Sequence, residues 1–126
     1  MSDTILAWHF TTLDGTTQRL TMPEEVGRWY AVEGVIVPCA NGLHGSVRAL
    51  DALSYASGPL VRRTEHRGTI VQHADKLASS ERRVLWTADA TDTLHHFACD
   101  IAFEALEREQ ERGREPDARS WAAIET

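Results

Sequence analysis

LVRRTEHRGTIVQHADKLASSERRVLWTAD, residues 60–89, decides what kind of fold this chain adopts. Residues 60–73 read as a hairpin with Arg67-Gly68 at its bend, since glycine admits the positive φ that a tight turn needs. Lys76–Arg82 reads as a short helix, and RVLWTAD, 83–89, as another strand. Strands therefore dominate the middle of the chain.

Working toward the N-terminus, ILAWHFTT (5–12) is apolar, aromatic and β-branched, and reads as a strand. Asp14-Gly15 supplies a turn, and QRLTM (18–22) a return strand. PEEVGRWY (23–30) is divided between loop and strand start, and VEGVIVPC (32–39) reads as a short buried strand that Pro38 ends. Asn41-Gly42 marks a turn. Ser46 then caps a helix of about 46–56, with Val47, Leu50 and Leu53 toward the core, until Ser57-Gly58-Pro59 stops it.

Toward the C-terminus, Leu94, Phe97, Ala98, Ile101, Ala105 and Leu106 form an apolar stripe at helical spacing. That helix starts at Thr91 or Asp92 and runs to about Arg112, with Gly113 as its C-cap. Pro116-Asp117 starts a last short helix that buries Trp121 and Ile124 against the first. The expected class is α+β: a mainly antiparallel sheet, one inserted helix and a C-terminal helical hairpin. All of it forms a single domain over 1–126, with 1–90 sheet-rich and 91–126 helical.

The length of 126 residues fits one domain, and 42% hydrophobic with 25% charged residues is ordinary for a globular chain. The net charge of −6 is uneven. Residues 1–58 carry three basic and six acidic groups, 59–91 carry six and four, and 92–126 carry four and nine. An acidic chain with an acidic tail repels a phosphate backbone, so direct nucleic-acid binding is not expected. It suits a basic protein surface instead. The apolar run Ile5–Trp8 is too short for a signal peptide or a membrane span, so a cytoplasmic location is expected, with Cys39 and Cys99 as free thiols. The polar face of the long helix is acidic, which disfavours a membrane surface.

Three constellations have chemical potential. Cys39, His44, His95 and Cys99 offer the donor types of a tetrahedral zinc site, but neither half has a short CxxC-type clasp, so metal is not expected. Cys39 as a nucleophile lacks a nameable oxyanion donor. The third joins His9, between Trp8 and Phe10, with Gly42, His44, Gly45, Ser46 and Tyr55. There the glycines let backbone approach a ligand, and the amides at the following helix start form an anion seat. The opposing interpretation is a plain turn, with Gly42 and Gly45 serving the bend and Ser46 the cap. Phosphate-loop motifs are absent.

Cys39, Gly42-Leu43-His44, Leu50 through Ala56, Gly68, Asp75-Lys76, Arg82-Arg83, Leu85-Trp86 and Asp89-Ala90-Thr91 together resemble an uncharacterised domain family spread through phage and bacterial genomes. The resemblance covers about residues 5–100 and implies a phage or mobile-element setting. More remotely, the order of features is similar to ADP-ribosyltransferase folds. On that pattern His9 orients a ribose, the 42–46 loop holds phosphate and Tyr55 stacks on nicotinamide. His44 stands where an aromatic residue is usual, and Glu65 and Glu81 are the candidates for the late glutamate.

Two functions are expected in competition. The first is a small acidic phage-type accessory protein, monomer or homodimer, without a cofactor. It docks on a host or phage protein through Glu104, Glu107 and Glu111, with Trp29 or Trp121 as aromatic anchors, and inhibits a defence system. The alternative is an NAD-binding ADP-ribosyltransferase-like enzyme with His9, His44 and Tyr55 in its site.

Overall fold

The computed structural model describes residues 3–16 and 23–125. In chain order the elements are β1 (Ile5–Thr11), β2 (Trp29–Ala31), β3 (Leu43–Gly45), α1 (Ala49–Ser54), β4 (Leu60–Gln72), β5 (Leu77–Asp89), α2 (Thr91–Glu111) and α3 (Ala118–Glu125). The class is α+β, with a five-stranded antiparallel sheet. Two compact units divide at Ala90/Thr91. The return strand expected over 18–22 lies outside the described residues.

The sheet-rich unit is organised by one long hairpin, β4 against β5. This overturns two expectations. Arg67-Gly68 is not a hairpin bend: Arg67 pairs with Glu81 and Ile70 with Ser79, leaving Gly68 and Thr69 opposite Ser80 alone. The positive φ of Gly68, +82°, is used for a bulge, and the Thr69 N–H donates to Ser80 Oγ at 2.9 Å. The chain turns instead at 73–76, where the His73 N–H donates to the Lys76 carbonyl at 2.8 Å. Lys76–Arg82 forms no helix, because residues 77–79 pair with β4 on one side and β3 on the other. Ladder bonds on both edges outweigh a helix propensity of tenths of a kcal/mol per residue.

The strand order is β1-β4-β5-β2, with β3 also on β5. Past β3 the chain reaches β1: Trp8 N–H donates to the Ser46 carbonyl at 2.7 Å, and Ser46 N–H to the Trp8 carbonyl at 2.9 Å. Hydrogen bonds therefore run in a circuit, β1 to β4 to β5 to β3 and back to β1. Residues 32–39 are not the buried strand expected of them. Val35 is 81% exposed, and the edge of β5 that such a strand needs is taken by β2 and β3.

The inserted helix is shorter than its pattern suggested. Ser46 is committed to the bridge with Trp8, so the N-cap falls at Arg48 and has no side-chain cap. The later start turns Val47 and Leu50 outward, and Ala52 is the residue that is buried.

In the helical unit, Gly113 (φ +79°) lies just past the end of α2 and closes it, and the Arg114 N–H donates to the Glu109 carbonyl at 2.9 Å. Asp117 opens α3, its Oδ1 accepting from the Arg119 N–H at 2.8 Å. Trp121 meets Phe103 edge-on, with ring centroids 5.6 Å apart, and Trp121 and Ile124 are half-buried. Among the described residues no helix is long and apolar enough to cross a membrane.

Candidate functional site

Alternation along the strands gives this unit a polar interior. Ala7, His9 and Thr11 share one face of β1, and across the ladder Arg62, Thr64 and His66 share one face of β4. The largest fully buried side chains include Arg62 and Arg82, which are 1% and 2% exposed. Both guanidinium groups pair with Glu24 Oε1, Arg62 through Nη1 at 3.2 Å and Arg82 through Nη2. Arg82 Nη1 also donates to the His44 carbonyl at 2.9 Å. Arg62 Nη2 donates to His9 Nδ1 at 2.7 Å. Deeper in, His66 bonds Thr64 Oγ1 at 2.9 Å and Ser79 Oγ at 2.8 Å.

Burial, then the positive charge of Arg82, pushes His66 down to about 3. The same two causes, with Arg62, hold His9 well below the ordinary histidine range. Burial and Arg82 also lower Arg62, to about 10, which leaves it charged at neutral pH. At pH 7 the cluster thus holds neutral imidazoles, two cations and one carboxylate.

Beside it lies a cavity of about 320 Å³. Its walls come from β1 (Trp8, His9, Phe10), the 42–46 segment, Ala52 and Tyr55 of the α1 region, and Cys39, Lys76 and Arg82. Gly45 is required by close packing: a Cβ there would stand 2.7 Å from His66 Nε2 and 3.1 Å from Ala7 Cβ. At the rim the Tyr55 hydroxyl donates to Asp75 Oδ2 at 2.5 Å, a bond that raises the phenol above its ordinary range. Lys76 Nζ donates to Cys39 Sγ at 2.6 Å and lies 5.2 Å from the Tyr55 ring centroid.

His9, Gly42, His44, Gly45, Ser46 and Tyr55 therefore all line one cavity. Their expected roles change in two places. The Ser46 amide is no anion seat, because it is bonded to the Trp8 carbonyl, and Leu43–Gly45 pair with β5. His44 Nε2 accepts from the Cys39 N–H at 2.8 Å, which ties the imidazole to the rim turn. The remaining candidates lie elsewhere. Glu65 and Glu81 do not line the cavity: they pair with Arg83 and Arg67. Trp29 is no exposed anchor, since it is half-buried with Arg67 3.7 Å and Arg83 4.9 Å from its ring. Trp121 is likewise half-buried, against Phe103.

Among the described residues no three His, Cys, Asp or Glu side chains gather as metal ligands would. Cys99 Sγ and His95 Nε2 approach to 3.7 Å, one turn apart on α2. Glu104, Glu107 and Glu111 are exposed on α2, Glu104 in a long ion pair with Arg108 at 3.9 Å.

Sequence reasoning missed Glu24, Arg62, His66 and Arg82. One signal was available: a strand with Arg62, Thr64 and His66 on one face and Arg63, Glu65 and Arg67 on the other has no apolar face to bury. Such a strand implies a polar interior.

Fold and site together define an α+β domain whose small sheet encloses a polar cluster and carries a cavity at its side. Residues 5–96 match the family described as a domain of unknown function (DUF7666), and the chain belongs to that family. No curated protein and no solved structure matches it.

Proposed function

We propose that the sheet-rich unit is a small-molecule-binding domain, and that its ligand is a planar ring compound of about mononucleotide size. The observation that carries this is the cavity itself, in which Trp8, Phe10 and Tyr55 stand with His9 and His44 around about 320 Å³. Ligand sites are concave, largely apolar and furnished with a few polar groups, and this volume is at the small end of their range. Cys39, Gly42, Leu43, His44, Ala52, Tyr55, Lys76 and Arg82, all among the residues that carry the family resemblance, line it. NAD and its two mononucleotide halves are the first ligands to try, following the resemblance to ADP-ribosyltransferase folds. The reading is one of binding rather than transfer, since Glu65 and Glu81 are engaged by arginines and line no part of the cavity.

Calorimetric titration with NAD, AMP and nicotinamide mononucleotide tests it. Saturable heat with at least one of them is expected, weakened tenfold or more by Tyr55→Ala, since stacking on an aromatic ring is worth roughly 1–3 kcal/mol per base. No heat from any of the three at millimolar concentration removes the reading.

A second reading rests on the helical unit. Glu104, Glu107 and Glu111 are exposed on α2 together with Phe97 and Ile101, a combination suited to a basic protein surface with an apolar centre. In that reading the chain is a phage-type accessory protein that docks on a host or phage protein, such as a defence nuclease. Capture of a partner that survives reversal of all three glutamates counts against this surface.

A further inference from the structure

We infer that the cavity selects an oxyanion, a phosphate or carboxylate group carried by its planar ligand, with Arg82 as the buried charge partner and Lys76 as a second cation at the rim. The inference rests on the small-molecule reading above and adds the charge of the ligand to it.

The first ground is charge balance. Among the described residues Glu24 is the one carboxylate bonded to Arg62 and Arg82, and both of those cations are buried. The neighbouring imidazoles of His9 and His66 are neutral at pH 7 and offset nothing. Glu65 and Glu81 are matched to Arg83 and Arg67. Buried charges are ordinarily paired one to one, because an uncompensated ion in a low-dielectric interior is costly. Here an excess of one positive charge sits against a cavity wall.

The second ground is hydrogen bonding. Arg82 is 2% exposed and lines the cavity, and its Nε donates to no described residue. A guanidinium has five donors in a fixed fork suited to carboxylate and phosphate. Nη1 and Nη2 have partners in the His44 carbonyl and Glu24, so the unmatched donor is the buried Nε of a residue that lines the cavity; Arg62 Nε and Glu24 Oε2 are unmatched in the same cluster.

The third ground is the composition of the wall. The described lining residues include Arg82 and Lys76 but no aspartate or glutamate. Lys76 Nζ gives one bond to Cys39 Sγ, and an ammonium has three donors, so it retains capacity for a second acceptor. Asp75, the nearest carboxylate in sequence, accepts from the Tyr55 hydroxyl. Low-dielectric walls around charges of one sign concentrate the field on the space between them.

The test uses the whole chain, labelled with ¹⁵N, because the arginine Nε–H is visible in amide correlation spectra. AMP, adenosine, benzoate and inorganic phosphate are titrated separately at constant ionic strength. The expected result is a saturable shift of the Arg82 Nε–H with AMP, benzoate or both, and binding of AMP at least tenfold tighter than of adenosine. Lys76→Gln, a change at the half-buried rim, narrows the preference for AMP over adenosine several-fold. AMP and adenosine binding equally, with the Arg82 signal unmoved, overturns the inference and keeps the small-molecule reading. A shift with benzoate or phosphate when neither AMP nor adenosine binds keeps the inference and discards the nucleotide. If no probe moves the signal, the inference falls.

Discussion

Arg62 Nη2 and His9 Nδ1 are 2.7 Å apart, and this contact fixes a tautomer. A guanidinium has no lone pair to offer, so the imidazole accepts at Nδ1 and carries its proton on Nε2. His9 thereby presents to the cavity it lines a neutral ring with a defined donor. The contact joins β1 to β4 inside the same ladder pair, His9 opposite Arg62.

Stability should fall in acid through the buried histidines. His66 is pushed down to about 3 in the folded protein, against about 6.5 when unfolded. Below pH 6.5 the unfolded chain binds a proton that the folded chain refuses, so the stabilising contribution is complete above that pH and is lost as pH falls toward 3. The slope is about 1.4 kcal/mol per pH unit for one such group, and His9 is displaced in the same direction. Urea unfolding between pH 4 and 6.5 should show this, with the slope smaller by about one proton in His66→Gln. Equal slopes in the two proteins contradict it.

Glu24 holds two buried cations on one oxygen atom. Glu24→Ala should lower stability by about 3–5 kcal/mol, because it leaves two desolvated guanidinium groups without an anion. Glu104→Ala removes an exposed pair at 3.9 Å and should cost no more than about 0.5 kcal/mol. Chemical denaturation of both variants, followed by tryptophan fluorescence, measures the contrast.

Cys39 has φ +69°, the one non-glycine residue with positive φ among those described, and it stands at the cavity rim. A left-handed conformation costs an L-residue about 1–2 kcal/mol, of which glycine's greater unfolded-state entropy takes back about 0.5–1 kcal/mol. Cys39→Gly should therefore stabilise the sheet-rich unit by about 0.5–1 kcal/mol. A lower urea midpoint in the variant would show that the thiol contact with Lys76 outweighs the backbone strain.

Gly45→Ala should destabilise by about 1–3 kcal/mol, since the new methyl group meets His66 Nε2 and Ala7 in a packed interior. The effect is steric, as Gly45 is not among the positive-φ residues. Thermal unfolding of Gly45→Ala alone and combined with Ala7→Gly checks it, the second change restoring part of the loss.

Local signals determined much of this protein. The 3.6-residue stripe from Leu94 to Leu106 and the glycine at 113 were enough to place α2, because a helix closes its hydrogen bonds within its own segment. The glycines at 42 and 45, with His9 and Tyr55, were enough to name cavity residues, since a sharp turn beside an aromatic strand leaves a compositional trace. Pairing was a different matter. Whether Arg67-Gly68 makes a bend or a bulge depends on its partner Glu81, and whether Lys76–Arg82 is helix or strand depends on Leu43 and His66, which no short window around either stretch contains. Only the closed circuit of strands decided that Arg62 and Arg82 share an interior with Glu24. Strand hydrogen bonds and buried charge balance are non-local quantities, so they exist only once the chain has brought distant segments together.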